Sequence, residues 1–248
     1  MFSTKKRTYK QHFNEKDSFY KYSSPKFKEQ QALSENLNTD ICIVGGGLTG
    51  ISAALNLADQ GYDVCIVEAN KIGSGASGRN GGQLGIGMRK DQLYLENKFG
   101  FEKAEFFWNV GLDAVKNVTN LISKYNIDCA LKPGILHAGN TKKDYKYFIE
   151  EIEHMKSKYS YDNYEYFDEN SIKDEVNTDQ YYSGLLTKDS FHLNPLKLTY
   201  GLANECLNKN VKIFENSPVD TIEEKSDNVL LFSKKAVIIA VNAVHEPR

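Results

Sequence analysis

From Thr39 onward the chain alternates short apolar runs with stretches of helical periodicity, after a polar, lysine-rich beginning. Residues 1–38 show no clean period of 2 or 3.6 and predict an extended arm with at most a short helix. Ile41-Cys42-Ile43-Val44 is a continuous apolar run, which suits a central parallel strand covered on both faces. Glycines follow directly. Ile51, Ala54, Leu55 and Ala58 then recur at helical spacing, and Gly61 sits where a helix C-terminal glycine belongs. Val64 to Val67 is a second apolar run. The three pieces make a strand-helix-strand unit of about thirty residues, the length of a right-handed parallel crossover.

Past the glycine-rich stretch that ends at Gly87, Phe107, Trp108, Gly111, Ala114, Val115, Val118 and Ile122 form one stripe and predict a long core-facing helix between Glu102 and Lys124. Cys129 to Leu131 and Ile135 to Ala138 read as two strands turned by Pro133-Gly134. Tyr145, Phe148, Ile149, Ile152 and Met155 predict a second helix from Asp144 to Lys158, and Tyr164–Phe167 and Tyr182–Thr187 two further strands. Asn194-Pro195 supplies an N-cap followed by proline at the first helical position, so a helix is expected from there to about Leu207. Short strands at Val211–Phe214, Val219–Ile222, Val229–Phe232 and Val237–Val241 follow, and Val244 to Arg248 carries no turn-and-strand pattern. This order predicts an α/β fold in which a parallel nucleotide-binding sheet is interrupted by an antiparallel-sheet α+β layer.

Composition narrows the function classes. With 40% hydrophobic and 26% charged residues, the 248-residue chain has ordinary globular usage and material for a sizeable core. Lysine plus arginine (31) against aspartate plus glutamate (33) gives a net charge of -2, so nucleic acid and anionic lipid are not expected partners. Cys42, Cys65, Cys129 and Cys206 are widely spaced without a C-x-x-C pair, which predicts buried structural thiols and no metal site. The basic N-terminus lacks an apolar core, and no stretch approaches the roughly eighteen apolar residues of a membrane span, so a cytoplasmic chain is expected.

Gly45-Gly46-Gly47-Leu48-Thr49-Gly50 satisfies G-x-G-x-x-G, and its context gives it weight. It follows a predicted strand, opens a predicted helix, and Glu68 lies eighteen residues past its last glycine at the end of the next strand. In such a Rossmann-like unit one glycine permits the tight turn, one lets the backbone approach a pyrophosphate, and one allows close packing of helix on strand. The free N–H groups and dipole of the helix start favour the diphosphate. A carboxylate at Glu68 accepts ribose hydroxyl protons and repels a 2′-phosphate, so FAD and NAD are favoured over NADP.

The next segment separates those two. Residues 73–82 hold five glycines, Gly73, Gly75, Gly78, Gly81 and Gly82, interleaved with Ser74, Ser77, Arg79 and Asn80. A nicotinamide fold normally continues here with an ordinary helix. An irregular, donor-rich backbone instead suits a long cofactor, with Arg79 offsetting pyrophosphate charge and Asn80 to Gln83 approaching a planar ring system.

DICIVGGGLTGISAALNLADQGYDVCIVEA followed by KIGSGASGRNGGQ resembles the FAD-dependent D-amino-acid oxidase superfamily, in its gamma-glutamylputrescine oxidase-like and glycine/D-amino-acid oxidase-like branch. FGFEKAEFFWNVGLDAVKNVTNLISKYNIDCALKPGILHAG, FHLNPLKLTYGLA, ENSPVDTIE and KKAVIIAVNA extend the likeness from about Asp17 to Ala243. The two loops and the resemblance together imply FAD contacts at Gly45, Gly46, Gly47, Leu48, Thr49, Gly50, Glu68, Ala69, Gly75, Ser77, Arg79, Asn80, Gly81, Gly82 and Gln83, with main-chain adenine contacts at Val219. The resemblance further implies oxidation of the C–N bond of an amine or amino acid by hydride transfer to flavin, imine hydrolysis and reduction of dioxygen to peroxide. It divides the chain into an arm over 1–38 and a domain over 39–248, with FAD-binding parts at about 39–90 and 209–243 and a substrate part at about 91–208.

Family members continue beyond the VIIAVNA strand, whereas this chain stops at Arg248. The alternative expectation is therefore a truncated, non-catalytic FAD-binding fragment, or one half of a split oxidase whose partner is a separately encoded C-terminal half. No catalytic residue is assigned. His192 lies in the segment that lines the flavin site in the resembling proteins, His137 reads as strand packing, and Tyr181, Tyr182 and Tyr200 are further candidates.

Overall fold

The computed structural model describes residues 7–8 and 18–245. The expected arm over 1–38 therefore lies partly outside the described residues, as does the segment 246–248. In chain order the elements are β1 (Arg7–Thr8), α1 (Phe19–Ser23), β2 (Leu37–Val44), α2 (Leu48–Asp59), β3 (Val64–Val67), β4 (Gln83–Leu84), α3 (Gln92–Phe99), α4 (Phe101–Lys124), β5 (Lys132–Gly139), α5 (Asp144–Tyr159), β6 (Tyr164–Phe167), α6 (Ser171–Val176), β7 (Ser183–His192), α7 (Pro195–Asn208), β8 (Lys212–Phe214), β9 (Val219–Glu224), β10 (Val229–Ser233) and β11 (Val237–His245). They fall into two units, one comprising residues 1–81, 125–129 and 194–248, the other residues 82–124 and 130–193.

The first unit is built on a seven-stranded sheet of order β1-β9-β10-β11-β2-β3-β8. β11, β2, β3 and β8 run parallel, with Cys42 opposite Cys65, Ile43 opposite Ile66 and Val44 opposite Val67. Every side chain of β3 is buried, as a parallel strand covered on both faces requires. Ile51, Ala54 and Leu55 are the buried residues of α2, and Gly61 follows it in the left-handed region at φ +89°. The four cysteines are buried, and burial pushes the Cys206 thiol up to about 12, so it packs against α2 as an inert group.

α7 begins as expected. The Asn194 side chain accepts hydrogen bonds from Leu196 N and Lys197 N at 3.1 and 3.0 Å, and Pro195 occupies the first turn. Asn194→Ala is expected to remove about 1 kcal/mol of cap stabilisation, and with it roughly 2–4 °C of thermal midpoint in a chain of this size. Circular dichroism melting checks this; an unchanged midpoint contradicts it.

The second unit carries an antiparallel sheet with β7 at its centre, paired with β5 from one end to the other, with β6 over Gly184 to Thr187 and with β4 at Phe191 and His192. Trp108 of α4 packs with Met155 and Tyr161 as the buried cluster of this unit, joined by Ile86, Leu112, Tyr159 and Tyr164.

Several element expectations need correction. Cys129–Leu131 is not a strand, and Pro133-Gly134 is not a turn between two strands. β5 runs through both residues, opposite a bulge between the Pro133–Phe191 and Ile135–Thr187 pairs, with Gly134 at φ +89°. Proline and glycine tolerate an interrupted ladder as readily as they make a turn, so composition did not separate the two. β11 extends to His245 because Asn242 to His245 pair with Ile41 to Val44, a long-range partner that no local pattern reveals. Ala114 is exposed rather than on the buried stripe of α4. α3 and α6 were missed because each buries little. α3 hides only Gln92 and Leu95, and α6 only Ile172.

Candidate functional site

The turn from β2 into α2 is shaped by steric necessity. Gly45 donates its N–H to Val67 O at 2.9 Å and takes φ +113°, so the chain leaves the ladder at a backbone conformation that favours glycine. A Cβ on Gly50 would collide with Gly45 O and press on Ile43 Cγ2 at 3.1 Å, so only glycine lets α2 sit this close to the turn. Gly46 is buried, and a Cβ there would run into Ile72 Cδ1.

Gly47 is the N-cap of α2 and offers no side-chain acceptor. The Leu48 N–H instead donates to Ser77 Oγ at 2.9 Å. The serine hydroxyl from the second glycine loop thus stands at the helix start, where backbone donors and the dipole favour an anion. Thr49 is exposed in the same first turn.

Glu68 lies just past β3 and is half-buried. Its Oε2 accepts the Gly46 N–H at 2.7 Å and its Oε1 the Asn70 N–H at 2.8 Å. A carboxylate has room for further donors beyond these two. The carboxylate and the helix N-terminus are thereby fixed side by side through Gly46. Ala69 follows Glu68, also half-buried.

The 68–72 segment rests on residues 214–217. Glu68 N donates to Phe214 O, Ser217 N to Glu68 O and Asn216 N to Asn70 O, at 2.9, 2.9 and 2.8 Å. Lys71 pairs with Glu29 and reaches Glu215 Oε2 at 3.3 Å. The Glu29 hydrogen bond, with Glu215 adding to it, holds the Lys71 ammonium above its ordinary range and Glu29 below its own. The second glycine loop is stitched to the first: Gly73 N–H donates to Gly46 O at 3.0 Å. Gly75 then precedes a 3-10 turn over Ala76–Gly78 that carries Ser77. Arg79 and Asn80 are exposed, and their side chains donate back to Gly75 O, Ala76 O and Ser77 O. Gly81 has open space where a Cβ would stand.

Residues Gly45 to Gly81 of the expected set, and Val219 at the start of β9, belong to the parallel-sheet unit. Gly82 and Gln83 open the other unit. There Gly82 O accepts Leu193 N at 2.9 Å and Gln83 pairs with His192. The exposed His192 ring shares a 3.1 Å hydrogen bond with Gly134 O. His137 is exposed, so its reading as packed strand is corrected: Ile135 and Gly139 of the same strand are buried, but the position between them is open to solvent. Tyr200 stacks on Phe27 at 5.3 Å within the parallel-sheet unit, and the Tyr182 ring lies 5.6 Å from Lys142 Nζ. Tyr181 is half-buried.

Sequence reasoning gave no role to Glu215, whose carboxylate is buried at 2% exposure beneath this segment. Its signal was available: an acidic residue directly after the apolar run Val211-Lys212-Ile213-Phe214 and ahead of an Asn-Ser-Pro turn.

The profile of the DAO family, described as FAD dependent oxidoreductase, matches residues 40–245. The chain belongs to this family. It is 35% identical over 231 residues to gamma-glutamylputrescine oxidoreductase of Escherichia coli (strain K12), covering 91% of this chain and 54% of that protein. It is 32% identical over 212 residues to the probable oxidoreductase OrdL of Haemophilus influenzae, covering 86% of this chain and 49% of that one. Among solved structures, L-amino acid deaminase from Proteus myxofaciens in complex with anthranilate shares the fold, with a TM-score of 0.68 at 22% identity over 88% of this chain and 47% of that chain. The chain spans about half the length of the curated relatives it matches. FAD is the cofactor of this family, and the donor set described above has the chemistry its adenosine diphosphate half requires: helix-start N–H groups for a diphosphate and a carboxylate for a ribose. Among the described residues no helix is long and apolar enough to cross a membrane.

Proposed function

We propose that the chain binds FAD through its parallel-sheet unit and forms part of an oxidoreductase acting on the C–N bond of an amine or amino acid. The observation that carries this reading is the Gly46 N–H to Glu68 Oε2 bond, which joins a glycine-opened helix N-terminus to a carboxylate within 2.7 Å. The N-terminus of α2 and the backbone of Gly45 to Gly50 would hold the diphosphate. Ser77 Oγ, which accepts from Leu48 N, would have its own proton to donate to a phosphate oxygen. Glu68 would accept the ribose hydroxyls, Val219 would offer its main chain to the adenine, and the Gly75 to Gly81 backbone would follow the cofactor toward its ring, with Arg79 offsetting charge.

When bound, FAD supplies a hydride acceptor whose electrons pass on to dioxygen, giving an imine for hydrolysis and peroxide. The chain's residues bind and orient it, and residues of the antiparallel-sheet unit form the substrate layer. A gamma-glutamylated polyamine is the first substrate to test, because the E. coli relative bears that name. The FAD-loaded chain, mixed anaerobically with gamma-glutamylputrescine, sarcosine and D-amino acids, is expected to lose its flavin absorbance with one of them. Full retention of colour across the panel, with FAD bound, contradicts the substrate reading and leaves a binding function alone.

A further inference from the structure

We propose that Glu215 is a positioning residue for the adenosine ribose, acting through Glu68; this rests on the assignment of Glu68 to the ribose. Glutamate is almost never fully buried unless paired, and Glu215 is 2% exposed. Two of its partners, Lys71 and Ile72, come from the segment that follows Glu68, and the third, Gln30, from the chain ahead of β2. Oε1 accepts Ile72 N–H at 2.9 Å. Oε2 accepts Gln30 N–H at 3.0 Å and Lys71 Nζ at 3.3 Å. Ser217 Oγ donates to Glu215 O and accepts Leu33 N–H, both at 2.8 Å, so the same knot fastens the incoming chain ahead of β2.

Backbone pairing with 214–217 already holds Glu68 and Asn70, whose N–H donates to the Glu68 carboxylate. Glu215 adds control of the residues that follow. By holding Ile72 N–H it fixes the Ile72 side chain, whose Cδ1 occupies the space over Gly46 that a Cβ would need. Gly46 in turn donates to Glu68 Oε2. Four residues thus run in contact from Glu215 through Ile72 and Gly46 to Glu68. A buried carboxylate with three directional partners specifies this loop geometry in a way an apolar side chain of the same size does not.

Glu215→Gln retains an oxygen for Ile72 N–H but presents an NH₂ where Gln30 N–H and Lys71 need an acceptor. The test is calorimetric binding of ADP and of 2′-deoxy-ADP to the full chain stripped of flavin. Wild-type chain is expected to prefer ADP by about tenfold or more, the scale of one charge-assisted hydrogen bond. In E215Q that preference is expected to shrink to within about threefold, chiefly through weaker ADP binding, and ADP binding to the E68Q/E215Q double variant is expected to match that to E68Q alone. E215Q that melts earlier yet keeps the full preference, or losses that add in the double variant, overturns the proposal and makes Glu215 structural only. Wild-type chain without any preference overturns the ribose assignment itself. Should E215Q not fold, Ser217→Ala loosens the same knot without burying an altered charge, and the same two outcomes decide.

Discussion

A chain carrying Gly50→Ala is expected to purify without flavin and to unfold at a lower temperature than the parent. The added Cβ falls on Gly45 O, a backbone atom, and within 3.1 Å of Ile43 Cγ2 in the sheet core. Neither can step aside as the end of a flexible side chain would. Overpacking of this kind costs about 1–3 kcal/mol, which for a chain of this size lowers the midpoint by roughly 2–12 °C. The larger consequence is local. To relieve the clash, α2 must move away from the turn, and the Leu48 N–H and its neighbours then no longer converge on the diphosphate.

Gly45→Ala acts by another route. Its φ of +113° disfavours any side chain, but nothing lies within 4 Å of the new Cβ, so strain replaces collision and the smaller effect is expected there. Flavin content after purification and a melting curve report the two effects separately; normal flavin uptake by G50A contradicts the account.

Glu68→Ala is expected to weaken FAD binding by about a hundredfold while leaving the fold intact. Hydrogen bonds to a charged group are worth about 1.5–3 kcal/mol, and the proposal gives this carboxylate two ribose hydroxyls, so a loss of at least about 2.7 kcal/mol, a factor of a hundred, is the conservative figure. Truncation also leaves the buried Gly46 N–H and the half-buried Asn70 N–H without their acceptor, so some stability is lost with the binding. The contrast with Gly50→Ala lies in the cause: G50A forces backbone atoms apart, whereas E68A removes an acceptor and leaves the turn unclashed. Flavin fluorescence titration measures the loss of binding, and an FAD affinity within about threefold of wild type contradicts the assignment.

How much of this was legible in the sequence depended on where each residue's partners lie. The strand-helix-strand unit was readable because Ile41 to Val67 carries its periods locally and its glycines mark the turns. Asn194-Pro195 was equally readable, since a cap is satisfied within three residues. The extension of β11 to His245 was not, because its partner lies about two hundred residues earlier. Pro133-Gly134 was misread because turn and bulge share a composition. Glu215 carried a local signal, an acidic residue closing a strand run, but its contacts reach back to Gln30 and Ile72, so its role was as illegible as the β11 pairing. His137 shows the limit of reading burial from neighbours along a strand, since it is exposed although Ile135 and Gly139 on either side of it are buried.

The central claim is that the glycine turn and Glu68 select FAD, with Ser77 and the second loop separating it from NAD. Equilibrium titration of the flavin-free chain with FAD and with NAD tests this most directly. The account predicts one saturable FAD site and NAD binding weaker by at least about a hundredfold, since NAD cannot engage the Gly73–Gln83 segment along its length. FAD that fails to bind, or NAD that binds as tightly, contradicts it.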